Sequence, residues 1–119
     1  ADLPSLAGGA HNCVQRLLFF INATQFAPMA LPGLYNNHCV GPHFRCAELG
    51  AQFAMFLVVR GPYTAFFGPD QPPFWQPLAF DYGAPLSVAR QLNATAFARE
   101  FASNVNVEFD CATFRFAIN

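Results

Sequence analysis

Residues 45–68 read RCAELGAQFAMFLVVRGPYTAFFG, and this stretch decides the fold. On a helix, Arg45, Glu48 and Gln52 fall on one narrow strip while Cys46, Leu49, Gly50, Phe53, Phe56 and Leu57 cover the rest. The spacing therefore predicts a mostly buried helix over 45–60. Gly61 and Pro62 end it, since Gly tolerates the positive φ of a helix cap and Pro cannot continue the hydrogen-bond ladder. The next run, 63–67, is a short apolar strand closed by Gly68. Upstream, 16–21 (RLLFFI) is a continuous apolar run ended by Asn22, which predicts a parallel strand buried on both faces. Strand, helix and strand make one βαβ unit.

Two loops flank these elements. Residues 22–44 carry Pro28, Pro32, Gly33, Asn36, Asn37, Gly41 and Pro42, and 68–85 carry Pro69, Pro72, Pro73, Pro77, Gly83 and Pro85 among Phe74, Trp75, Phe80 and Tyr82. Long loops of this kind usually carry function. Near the end, Val105, Val107 and Phe109 alternate with Asn106, Glu108 and Asp110, and Phe114, Phe116 and Ile118 alternate with Arg115 and Ala117. This pattern predicts an antiparallel hairpin with one buried face.

The chain has 119 residues, 54% hydrophobic and 11% charged, enough for one core. Fifteen Phe suggest more apolar surface than this length buries alone, which points to a partner surface. All six positive charges are Arg and the net charge is −1, so no basic stripe exists to attract nucleic acid. The longest apolar run, 53–59, is far short of the roughly 18 residues of a membrane span. The chain begins at Ala1 without an initiator Met or a signal pattern, so it is expected to be processed or to lack an upstream portion.

Four cysteines and two Asn-x-Thr triplets point to one compartment, because disulfides and N-linked glycans both form on the secretory route. The expected location is extracellular, with glycan on Asn22 and Asn93. His38, Cys39, His43 and Cys46 are zinc-ligand types, but their spacing matches no usual finger. Short loop closure in an oxidising compartment favours a Cys39–Cys46 disulfide instead. Cys13 and Cys111 then pair by elimination, and no metal or other cofactor is expected.

The order of parts, namely the run at 16–21, the helix ending FLVVRG at 56–61, the strand YTAFFG at 63–68, Trp75, DYGAPLSVA at 81–89, Arg99-Glu100-Phe101 and the hairpin over 105–118, resembles the C-terminal third of secreted glycoside-hydrolase-like (β/α)8 barrels. The likeness covers about residues 16–118. It implies an α/β fold in which 1–90 is the terminal strand-helix-strand part of a TIM-type barrel and 91–119 is a β-hairpin appendage. A whole barrel takes about 250 residues, so the likeness also implies a companion polypeptide that completes it. The alternative fold is a small disulfide-bonded α+β domain.

Barrel enzymes place their chemistry on loops after the strands, so the resemblance puts 22–44 and 68–85 beside one glycan-binding cleft. Glycoside hydrolysis needs two carboxyl groups flanking the scissile bond. Asp70, Asp81 and Glu48 form no such pair, Glu48 reading better as a helix-dipole residue and Asp70 as a turn former, so the catalytic pair is expected outside this chain. Trp75, Phe74 and Tyr82 offer flat rings for a sugar's C–H face, against the alternative that they are ordinary packing. With Asp70 and Asp81 they are the candidate carbohydrate-binding residues, Trp75 foremost. Two functions follow: part of a secreted carbohydrate-active protein, or a non-catalytic structural glycoprotein of a matrix, wall or surface filament.

Overall fold

A computed structural model describes residues 3–26, 33–36, 49–61, 64–67 and 81–119. A short 3-10 turn, Leu6–Gly8, leads into helix α1 (Ala10–Ile21), which runs on through a π turn at Asn22–Phe26. Strand β1 (Gly33–Asn36), helix α2 (Leu49–Val59) and strand β2 (Thr64–Phe67) follow, then β3 (Arg90–Gln91), β4 (Ala96–Glu100), β5 (Asn106–Asp110) and β6 (Arg115–Ile118).

The run at 16–21 is helical, which corrects the expected strand. Cys13, Val14, Leu17, Phe20 and Ile21 are buried, while His11, Asn12, Gln15 and Phe19 are exposed. That is the spacing of one helix face, and it becomes visible only when residues 10–15 are read together with the apolar run. The first strand of the parallel pair is instead β1, inside the stretch expected to be loop. It pairs parallel with β2, in register from Gly33 opposite Thr64 to Asn36 opposite Phe67. Strand, helix and strand therefore do occur in that order, with a different first strand. A complete or partial barrel is not seen among the described residues.

Strands β3 to β6 form an antiparallel sheet in that order. The expected hairpin is β5 and β6, with Val107 opposite Ile118 and Phe109 opposite Phe116. The pattern revealed neither the two-residue β3 nor β4, where Ala96 and Ala98 favour helix by intrinsic propensity. Pairing overrides that preference: Phe97 lies opposite Phe109 and Arg99 opposite Val107, so these four side chains share one face. The turn from β5 to β6 puts Phe114 at φ 58, an unusual conformation for a residue with a β-carbon. Its ring meets Phe109 edge-on at 5.2 Å.

Helix α2 lies between α1 and the antiparallel sheet, and every residue from 51 to 59 is buried. One core cluster runs from Leu3 and α1 through α2 to Phe97, Phe101, Val107 and Phe109. The segments 1–90 and 91–119 thus share a single core. Cys13 and Cys111 are disulfide-bonded across it, with Cα atoms 5.8 Å apart. This is the expected pairing; Cys39 and Cys46 lie outside the described residues.

A helix buried at its C-terminal end leaves carbonyls that water cannot reach. Three side chains supply the missing donors. Arg99, 5% exposed, donates from Nη1 to the carbonyls of Leu57 (3.2 Å), Val58 (3.3 Å) and Arg60, and from Nε to that of Ser87. The Thr24 hydroxyl lies 2.6 Å from the Val59 carbonyl and 2.8 Å from that of Phe20. Gln25 Nε2 donates to the Val58 carbonyl at 2.8 Å, while its Oε1 accepts from Ala89 N. Gly61 is required here by close approach: a β-carbon would sit 2.7 Å from the Thr24 carbonyl oxygen. Burial, with Arg60 nearby, pushes the Arg99 guanidinium down to about 10, still cationic at neutral pH. A cation among the last carbonyls also opposes the helix dipole favourably.

Candidate functional site

Parallel pairing decides where the chemistry-bearing segments start. Because β1 and β2 run the same way and in register, Asn36 and Phe67 lie side by side at one sheet end. The chain leaves both strands on that side. In parallel α/β architectures this carboxyl edge is where ligands bind. The segment after β1 holds His38, Cys39, His43 and Cys46, and the segment after β2 holds Asp70, Phe74 and Trp75. All seven lie outside the described residues, as does the Cys39–Cys46 pairing. Asn22, expected to open the first of these loops, instead ends α1.

Asp81 and Tyr82 can be placed. Asp81 is exposed, and its Oδ1 accepts a hydrogen bond from Gly83 N at 3.0 Å, an Asx turn that Gly83 completes at φ 71. Tyr82 is 6% exposed, with its ring centroid 5.9 Å from Phe53 and 6.0 Å from Phe101. Its ring is a core ring, and no face of it is open for a sugar. Burial raises its phenol above the ordinary value.

The antiparallel sheet offers a second surface. An open groove of about 480 Å³ is lined by Leu92, Asn93, Glu108, Asp110, Arg115 and Phe116, among others. Its signal was in the sequence: the alternation that buries Val107 and Phe109 turns Glu108 and Asp110 outward, and Arg115 lies opposite Asp110. The Asp110 carboxylate is already engaged, accepting from Ala112 N at 2.8 Å. Among the described residues, no group of three or more His, Cys, Asp or Glu is arranged to hold a metal ion.

No protein-family profile matches the chain. No curated protein matches it either. Function must therefore be argued from the arrangement of residues.

Both sequon asparagines are exposed. Asn22 stands at the end of α1, and Asn93 in the turn between β3 and β4. Asn93 Oδ1 accepts from Thr95 N and Ala96 N, each at 3.0 Å, and from the Thr95 hydroxyl at 3.3 Å. No helix among the described residues is long and apolar enough to cross a membrane.

Proposed function

We propose that this chain is the C-terminal part of a secreted, glycosylated, carbohydrate-active protein of the glycoside-hydrolase-like barrel kind. In this reading the segments after β1 and β2 line a glycan-binding cleft. The observation that carries it is the parallel β1–β2 pair, whose carboxyl ends emerge together ahead of Asp70, Phe74 and Trp75. Parallel sheets are ordinarily covered on both faces and extended by further strands, and two strands alone are marginal. A companion polypeptide supplies that cover and the remaining strands. The buried disulfide agrees with an oxidising, extracellular setting.

Hydrolysis in this reading draws its acid and nucleophile from the companion. The rival, a non-catalytic structural glycoprotein, is favoured by the sparseness of acidic residues in the segments that follow β1 and β2, where Glu48 reads as a helix-dipole residue and Asp70 as a turn former. Affinity electrophoresis of the natural full-length protein through gels containing soluble polysaccharides tests the cleft. Trp75→Ala should weaken retention about tenfold, the value of roughly 1.4 kcal/mol of lost ring contact. Undiminished retention in both Trp75→Ala and Phe74→Ala would remove the cleft from this part of the molecule.

A further inference from the structure

The two sequons differ in a way that their sequences do not show. N-glycosyl transfer requires Ser or Thr at the third position, so the transferring enzyme reads that hydroxyl as well as the asparagine. Thr24, the third residue of the Asn22 triplet, is 3% exposed. Its hydroxyl is committed to the Val59 and Phe20 carbonyls. Its own backbone presses on Gly61, where even a β-carbon would not fit. Thr95, the third residue of the Asn93 triplet, is half-buried in a surface turn, and its hydroxyl lies beside the asparagine it serves. The Asn93 hydrogen bonds among the described residues fall on Oδ1, while Nδ2 is the atom that takes the sugar.

We propose that Asn22 is a glycan acceptor only before the Asn22–Phe26 turn docks on the end of α2, whereas Asn93 remains an acceptor in the folded chain. This rests on the secreted, glycosylated reading given above. In both cases the Asn Nδ2 attacks the anomeric carbon of an oligosaccharide carried on a lipid diphosphate. A carbon–nitrogen bond forms, the carbon–oxygen bond to phosphate breaks, Nδ2 loses a proton and the lipid diphosphate leaves. The chain order leaves a window for Asn22. The carbonyl that sequesters Thr24 lies 35 residues downstream. Cys13, on the same helix as the approach to Asn22, bonds to a cysteine 98 residues further on. Until those residues have been made, neither the turn nor α1 can be held in place. Occupancy at Asn22 therefore records a race between sugar transfer and folding, which disulfide closure ends.

The test uses the natural full-length polypeptide, folded and oxidised but unglycosylated, with purified oligosaccharyltransferase and a lipid-linked oligosaccharide. Site occupancy is read by peptide mass spectrometry. In the folded protein Asn93 should be modified at least about tenfold faster than Asn22, because the Thr24 hydroxyl is reached only through local opening. After reduction and unfolding, the two rates should come within a few-fold. Equal rates in the folded protein would overturn the proposal, as would an Asn93 that accepts sugar only when unfolded. Material from the native source lacking glycan at both sites would count against secretion instead, whatever the purified enzyme does.

Discussion

At the scale of single residues, Arg99 is the side chain whose loss should be felt most. It answers three carbonyls at the end of α2 from one nitrogen and a fourth through Nε, so a change to Met leaves acceptors buried without donors. Each orphaned acceptor costs about 1–3 kcal/mol, part of which the remaining Thr24 and Gln25 donors offset. Arg99→Met should therefore cost about 3 kcal/mol in urea unfolding, and Arg99→Lys should recover only part of it, because an ammonium lacks the planar fork. A loss under about 1 kcal/mol for the Met variant would show that the helix end finds other donors. From sequence alone, Arg99 stood only as a member of the closing Arg99-Glu100-Phe101. Its role depends on a helix end some 40 residues away, and no local pattern reports that.

At the scale of elements, α1 separates two readings of the same residues. A strand covered on both faces would bury Leu17 and Phe19 alike, since every position faces a neighbour. The helix buries Leu17 fully and leaves Phe19 68% exposed. Leu17→Ala should cost about 3 kcal/mol by opening a cavity, whereas Phe19→Ala should change stability by no more than about 0.5 kcal/mol. Comparable losses at both positions in a denaturant titration would restore the strand, or place a partner over Phe19. For α2 and β2 the local pattern was sufficient. The unbroken apolar run at 53–59 is what a helix buried between two layers must have, and Gly61-Pro62 marks its end in the sequence. β1 was not legible, because its four residues acquire strand geometry by pairing with residues about 30 positions away.

For the molecule as a whole, the Cys13–Cys111 bond ties the first helix to the last hairpin across 98 residues. Closing a loop of that length removes chain entropy from the unfolded state worth about 4–5 kcal/mol. Cys13→Ala with Cys111→Ala should lower stability by about 4 kcal/mol, against roughly 1 kcal/mol for an ordinary substitution. Thermal unfolding of the double variant at the wild-type temperature would show the bond to be dispensable. The sequence by itself determined what depends on near neighbours. It specified the buried helix and its stop, the strand after it and the alternating hairpin. Only the tertiary structure decided that 16–21 is helix, that 33–36 and 96–100 are strands, that Tyr82 belongs to the core, and that Thr24 is sealed while Thr95 is not. The physical reason is range. Side-chain periodicity and turn chemistry act over a few residues, whereas strand pairing and burial are set by groups brought together from 30 to 100 positions apart.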